Sequence, residues 1–472
     1  MTDTIALKSE IGEITTLLSE LEVAFPSLKI AWPSAETVEY SYDAGTVPKA
    51  QVQEPGPAVV WPSSVEEVQA ILKAASRLHI GIVPRGEGTG LSGGATAASN
   101  QLVVSTQLLN KIVEINVEDE LAVVEPGVIN SELNEKVAPF GLFYAPDPAS
   151  WNLSSIGGNV ATNAGGLRCV KYGVTRESIL SLDVVLSDGE LITVGQRTLK
   201  GVTGLDLRSL IIGSEGILGI VVGATLRLRP IPPARKTISV WFPETQSGAA
   251  GLSAIARTPV RPSIIEFIDE PTLKAIDNAS GTQLRSRGGS LILIELDGYG
   301  LDEQIVDLGA ALTAVGGNVI EEDTDAGEVL WELRRSGRGG LDPRRWSISS
   351  DIAVPRSKFK DVFAYFPTLE EKYGVEVSAL GHAGDGNLHP LISKEVPESA
   401  DPATPDPAVA AANLDLIKFA LSLGGTVTAE HGLGSAKRYL AELELSPRSL
   451  EIQHAIKRAF DPQSLINPGK AI

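Results

Sequence analysis

The chain runs to 472 residues, too long for one compact core, so two or three domains are expected. It sets 40 Lys and Arg against 59 Asp and Glu, a formal charge of −19, and so acidic a surface repels phosphates and argues against nucleic acid as a partner. Its one Cys, Cys169, excludes an internal disulfide or a zinc ribbon and fits a reducing compartment.

The N-terminus shows no basic stretch followed by an apolar run, so no signal peptide is expected. The longest apolar stretch, 217–226, falls far short of the roughly 20 residues that span a bilayer, so no transmembrane segment is expected. The cytoplasm is the expected location. Residues 1–54 read as a helical lead-in: apolar spacing predicts a helix over 11–25, and Pro33, Pro48 and Pro55 interrupt the polar stretch after it. From 55 to 231 the pattern is α/β. A strand at 59–61 precedes a helix that Ser63 and Glu66 would cap reciprocally, with Val65, Val68, Leu72 and Ala75 on one face. Further strands are expected at 80–83, 102–104, 122–124, 182–186 and 220–228. The run Arg229-Pro230-Ile231-Pro232-Pro233 predicts a domain boundary. Beyond it, from 232 to 472, strand patterns at 237–242, 263–268 and 291–296 alternate with helical stretches, which predicts an α+β domain with a largely antiparallel sheet. The segment Glu395 to Pro407, with four Pro, reads as a surface loop.

The glycines cluster. Pro84-Arg85-Gly86-Glu87-Gly88-Thr89-Gly90-Leu91-Ser92-Gly93-Gly94 would let successive backbone N–H groups turn towards one anion, and a pyrophosphate is the natural guest. A Rossmann reading needs a helix directly afterwards, and the strand at 102–104 comes too soon for one. A glycine-rich surface turn is the plainer alternative. Two more segments share this character: 155–166, rich in Gly and Asn after Pro146-Asp147-Pro148, and 213–220. Three such segments in one domain imply an extended cofactor touched in several places.

Histidine is scarce, with five in the chain. His79 and His454 fall on predicted helices and read as structural. Residues 379–392 read as strand, turn, strand, with Asp385-Gly386 as a two-residue turn. That register would set His382 opposite His389 on one face, where two imidazoles can chelate a divalent ion. A hairpin pair with no ligand is the alternative. A two-His site wants a third ligand, commonly a carboxylate, and Glu430-His431-Gly432 offers one. A short strand is expected at 426–428, which would send Glu430 and His431 to opposite faces.

The three glycine-rich segments, in this order and spacing, resemble the FAD-binding domain of the vanillyl-alcohol oxidase type. From about residue 50 to 472 the chain is similar to the FAD-linked D-2-hydroxyacid dehydrogenases, the family of the glycolate oxidase catalytic subunit and of flavin-linked D-lactate and D-2-hydroxyglutarate dehydrogenases. The resemblance implies an α+β fold: a two-part FAD-binding domain and a C-terminal substrate domain with a largely antiparallel sheet covered by helices, about the last 20 residues returning to the FAD domain. It implies that Pro84, Arg85, Gly86, Glu87, Gly88, Thr89 and Gly90 wrap the pyrophosphate. Pro146, Asp147, Gly157, Gly158, Asn159, Thr162, Asn163, Gly165, Gly166, Glu215, Gly216, Gly219, Ile220 and Asn467 would line the rest of the cofactor. The first loop holds neither His nor Cys, so the FAD is expected to be non-covalent, and Cys169 is expected to be a simple buried thiol.

The same resemblance implies that His382, His389 and Glu430 bind a divalent metal, zinc or manganese, and that His431 is the base. Trp331-x-x-Arg334 matches a family pattern and makes Arg334 the expected partner of the substrate carboxylate, with Arg335 read as a solvated neighbour. The implied reaction oxidises a small 2-hydroxy acid to the 2-oxo acid, with hydride passing to the flavin and then to an unidentified electron acceptor. D-2-hydroxyglutarate dehydrogenases carry a Thr and a Lys for the second carboxylate where this chain has Arg338 and Ser349. That difference favours D-lactate or glycolate, and the charge of Arg338 keeps D-2-hydroxyglutarate as an alternative. A non-redox FAD transferase of the ether-lipid type and a flavin-carrying subunit that only passes electrons are rival readings. Homodimerisation stays open.

Overall fold

A computed structural model describes residues 2–46, 55–337, 342, 344–401 and 403–472; Pro48 and Arg338 lie outside them. The chain divides into two units: Met1–Gly165 with Gly173–Ile231 and Glu430–Ile472, and Gly166–Tyr172 with Pro232–Ala429. Among the described residues, no helix is long and apolar enough to cross a membrane.

Two larger sheets frame the first unit, beside a two-stranded pairing of Leu142–Phe143 with Arg229–Pro230. In one, the strands Ala58–Trp61, Leu102–Ser105 and Ile82–Arg85 run parallel, with Lys29–Ala31 antiparallel at the edge. The crossover helix Val65–Leu78 begins at Ser64, whose hydroxyl accepts the Glu67 amide, while Glu67 reaches back to the Ser63 amide at 2.6 Å. The cap therefore sits one residue later than the Ser63/Glu66 pairing expected, because Glu67 reaches back into the turn that Glu66 was expected to close. The helix ends at His79, whose φ of 55° is left-handed and stops the winding. Val68, Ile71 and Leu72 are buried on one face, each worth about 1.5–3 kcal/mol relative to exposure. Ile14, Leu17, Leu18 and Leu21 of the helix Thr2–Ala24 join the same core. Between Ile82–Arg85 and Leu102–Ser105 the glycine-rich run forms no helix, which excludes the Rossmann reading.

The second sheet is antiparallel: Ile112–Asn116, Leu121–Val124, Ile220–Arg227, Ile179–Val185 and Leu191–Gly195 in that order. A register shift between Val221 and Gly223 inverts the strand's alternation. Ile220 and Val222 consequently enter one core, and Ala224 and Leu226 the other.

The second unit is an antiparallel sheet in the order Asn318–Glu322, Arg235–Phe242, Ser290–Asp297, Ile264–Ile268, Glu376–His382, Asn387–Glu395 and Arg345–Ser349. Helices such as Thr245–Ala256, Glu270–Ser280 and Phe359–Tyr373 accompany it. The seven residues Gly166–Tyr172 join this unit through Lys171 and Tyr172, both bonded to Asp297. Cys169 lies on the short helix Cys169–Tyr172 and is half-buried, not the buried thiol expected.

Candidate active site

The first unit contains a cavity of about 500 Å³ lined by all three glycine-rich segments. Pro84, Arg85, Gly86, Glu87, Gly88, Thr89 and Gly90 form one wall. Gly157, Gly158, Asn159, Thr162 and Gly165 form a second, and Glu215, Gly216, Gly219 and Ile220 a third. Three expected residues stand behind these walls. Pro146 accepts the amide of Asn130, which also reaches Asn159, and Asn163 accepts the Arg176 amide. Asn467 donates to the carbonyls of Gly94 and Glu215, while Asp147 is absent from the lining. Gly166 belongs to the second unit.

Arg85 gives shape to the first loop. Its Nη1 donates to the carbonyls of Tyr42 and Ala95 at 2.8 and 3.0 Å, and the guanidinium lies 5.1 Å from the Tyr40 ring centre. Burial depresses its pKa, so the cation is held at a cost that these partners offset.

Glu430 and His431 line the same cavity. The loop carrying them is fastened by Glu215, whose two oxygens accept the Leu433 and Gly434 amides at 2.8 and 2.7 Å. Burial pushes the Glu215 carboxyl above the usual carboxylate range, and those two bonds pull the other way. Gly165 leaves room for Glu430: a Cβ there would stand 2.6 Å from Oε1 of that side chain and push it aside. The short strand expected at 426–428 is absent. Thr426 makes a single bridge to Ala353, and both Glu430 and His431 line the cavity.

In the second unit the hairpin holds the two histidines together in a register different from the expected one. His389 pairs with Leu380, not His382, and the tip is longer than two residues, with the Asp385 and Gly386 amides both pointing at the His382 carbonyl. The reason is local. The Asp385 carboxylate accepts the Asn387 amide, and the side-chain amide of Asn387 is tied to Asp351, so Asn387 cannot close a tight turn. The imidazoles become diagonal neighbours on one face, with ring centres 5.1 Å apart at 85°.

Each ring has a carboxylate behind it. Nδ1 of His382 lies 2.7 Å from Oε1 of Glu266, which is wholly buried, and Nδ1 of His389 lies 3.7 Å from Oδ1 of Asp351. The second oxygen of Glu266 accepts Nε of Arg334 at 2.6 Å. Arg334 reaches it because Gly327, Leu330, Trp331 and Arg334 share the buried face of the helix Thr324–Ser336, while Arg335 is exposed. Asp351 also accepts Asn387 Nδ2 at 2.9 Å, Thr428 Oγ1 at 2.7 Å and the Ala429 amide at 3.0 Å. Ala429 is the residue covalently joined to Glu430.

Sequence reasoning missed Glu266 and Asp351. For Glu266 a signal existed: a lone carboxylate inside Ile264-Ile265-Glu266-Phe267-Ile268 is a charge in a strand buried on both faces. For Asp351, in Ser349-Ser350-Asp351-Ile352, composition offers no comparable cue.

Comparison with known proteins agrees with this architecture. Residues 56–195 match the family described as "FAD binding domain", and residues 231–471 match "FAD linked oxidases, C-terminal domain". The chain is 36% identical over 442 residues to the glycolate oxidase subunit GlcD of Bacillus subtilis, covering 93% of this chain and 92% of that protein. It is 34% identical over 418 residues to a D-lactate dehydrogenase of Archaeoglobus fulgidus, covering 88% and 91%. Among solved structures, p-cresol methylhydroxylase superposes with a TM-score of 0.77 at 18% identity, covering 98% of this chain and 97% of that one. The chain belongs to the FAD-linked oxidase family, with the vanillyl-alcohol oxidase type of fold. It is an FAD-dependent oxidoreductase.

Proposed function

We propose that this enzyme oxidises a small D-2-hydroxy acid, D-lactate or glycolate, to the 2-oxo acid with non-covalent FAD and a divalent metal, zinc or manganese. Relatives named glycolate oxidase and D-lactate dehydrogenase, matched over about nine-tenths of the chain, support the reaction class. The observation that carries the metal is the close His382–His389 pair, with Glu266 hydrogen-bonded to Nδ1 of His382 and the Asp351 carboxylate 3.7 Å from Nδ1 of His389. A ring whose Nδ1 side faces a carboxylate has its Nε2 lone pair available for a cation, the usual second shell of a metal-bound His. Glu430 is the proposed third ligand. Its neighbour Ala429 is bonded to Asp351, the same carboxylate that backs His389, and consecutive Cα atoms lie only about 3.8 Å apart.

When bound, the metal would polarise the substrate hydroxyl and carboxylate, and the flavin would accept the hydride. The chain's own residues do the rest. His431, on the cavity wall, takes the hydroxyl proton, a task that suits an imidazole at neutral pH. Arg334 turns both Nε and Nη2 to Glu266 and leaves Nη1 for the substrate carboxylate. The three glycine-rich walls and the Glu215 staple hold flavin and base in fixed relation.

The experiment is a panel of D- and L-2-hydroxy acids mixed anaerobically with the purified yellow protein. Bleaching of the oxidised flavin by D-lactate or glycolate, and weaker or no bleaching by the L-isomers and D-2-hydroxyglutarate, is expected. A flavin that stays oxidised with every hydroxy acid would overturn the proposal and favour a transferase or an electron carrier.

A further inference from the structure

Asp43 precedes both stretches matched by the family models, the first of which begins at residue 56, yet it lines the glycine-walled cavity. It is 1% exposed. Its Oδ1 accepts the Thr46 hydroxyl at 2.7 Å, and that hydroxyl accepts the Asp43 amide at 3.0 Å. Its Oδ2 has no hydrogen-bond partner among the described residues and lies 3.5 Å from where a Cβ on Gly90 would stand.

The segment around it is fixed against the first glycine loop. Ala44 and Gly45 donate their amides to the carbonyls of Gly88 and Gly90, each at 3.0 Å. A Cβ on Gly45 would fall 2.2 Å from the Leu91 carbonyl oxygen, so only glycine permits this approach. Tyr42 holds Arg85 through its carbonyl. Residues 42–46 are thus a splint laid along the loop that the resemblance assigns to the pyrophosphate. A second polar atom on the same cavity wall, Oγ of the 2% exposed Ser92, also has no partner among the described residues.

A buried carboxylate oxygen without a donor is unfavourable, and native proteins keep such groups chiefly where something outside the chain completes them. Within FAD, the pyrophosphate is an anionic acceptor and would be repelled by the carboxylate. The sugar hydroxyls flanking it are donors, and carboxylates take ribose hydroxyls in other dinucleotide sites. We propose that Asp43 is a cofactor-binding residue that accepts a hydrogen bond from a ribityl or ribose hydroxyl beside the FAD pyrophosphate.

The test uses the full chain freed of flavin and titrated with FAD. For Asp43→Asn the dissociation constant should rise at least about tenfold, the worth of one hydrogen bond to a charged group. The flavin-free variant should still fold cooperatively, because the amide keeps the Thr46 contacts while Arg85 and Lys470 lose only the charge that favours them. An affinity within about twofold of the parent overturns the proposal. So does a flavin-free variant that fails to fold, since that assigns Asp43 to the scaffold alone. A second measurement needs only the parent and analogues lacking either the ribityl or the adenosine-ribose hydroxyls. The analogue that loses the Asp43 bond should bind the parent more weakly yet bind Asp43→Asn no worse than FAD does. Additive losses for both analogues would refute the contact.

Discussion

Glu266 holds His382 with one carboxylate oxygen and Arg334 with the other, at 2.7 and 2.6 Å. One buried carboxylate therefore orients both the ring of a proposed metal ligand and the cation proposed for the substrate. For Glu266→Gln, metal affinity should fall about 10–100-fold with FAD content unchanged, as for other partners of metal-bound His. Glu266→Ala should in addition destabilise the protein by about 3–5 kcal/mol, because it leaves the buried Arg334 cation uncompensated. Metal titration and chemical denaturation check the two effects separately.

Asp351 links the hairpin to the chain that leads into Glu430-His431, taking three donors from Asn387, Thr428 and Ala429. Asp351→Ala leaves these donors without their acceptor and should lower the unfolding free energy by about 2–5 kcal/mol. Turnover should fall while flavin absorbance persists, because the segment before His431 is no longer anchored. Unchanged kcat in a folded variant would contradict this.

Gly165→Ala should leave the fold intact, since the crowding atom is the far end of a flexible side chain, Oε1 of Glu430 at 2.6 Å. The expected change in stability is within about 1 kcal/mol. Displacing Glu430 should nonetheless cost about 100-fold in kcat/KM, the penalty typical of moving a catalytic group by an ångström. Steady-state kinetics beside a melting curve distinguishes the two.

Glu215 supplies a pH dependence. Its folded-state pKa is raised by burial, so the stability linked to its titration is present at low pH and is lost as pH rises through the folded value. The melting temperature of the parent relative to Glu215→Gln should therefore be highest below about pH 4, under the ordinary carboxylate pKa, and should decline towards neutrality. A difference that grows with pH would mean that the Leu433 and Gly434 amides outweigh burial.

Much of this architecture is legible in the amino-acid sequence because it is local. The glycine-rich runs at 84–94 and 155–165 carry too little bulk to build a core by themselves, and most of their residues line the cavity. The apolar spacing of 65–75 yields the expected helix. The features that escaped depend on partners distant in the chain. The hairpin register comes from Asn387 meeting Asp351, 36 residues away, and a turn rule that sees only Asp385-Gly386 cannot anticipate it. Glu266 meets His382 across 116 residues, and Asp43 touches the cavity from the lead-in, where nothing in the motif hints at a ligand.

The most direct test of the central claim is flavin bleaching by D-lactate or glycolate in three preparations of the same protein: as purified, stripped by chelator, and stripped then resupplied with zinc or manganese. FAD should remain bound in all three. Bleaching should be fast in the first, lost in the second and restored in the third, and the Glu266→Gln protein should require more metal for the same recovery. Undiminished bleaching in a stripped preparation shown to be free of divalent metal would contradict the account.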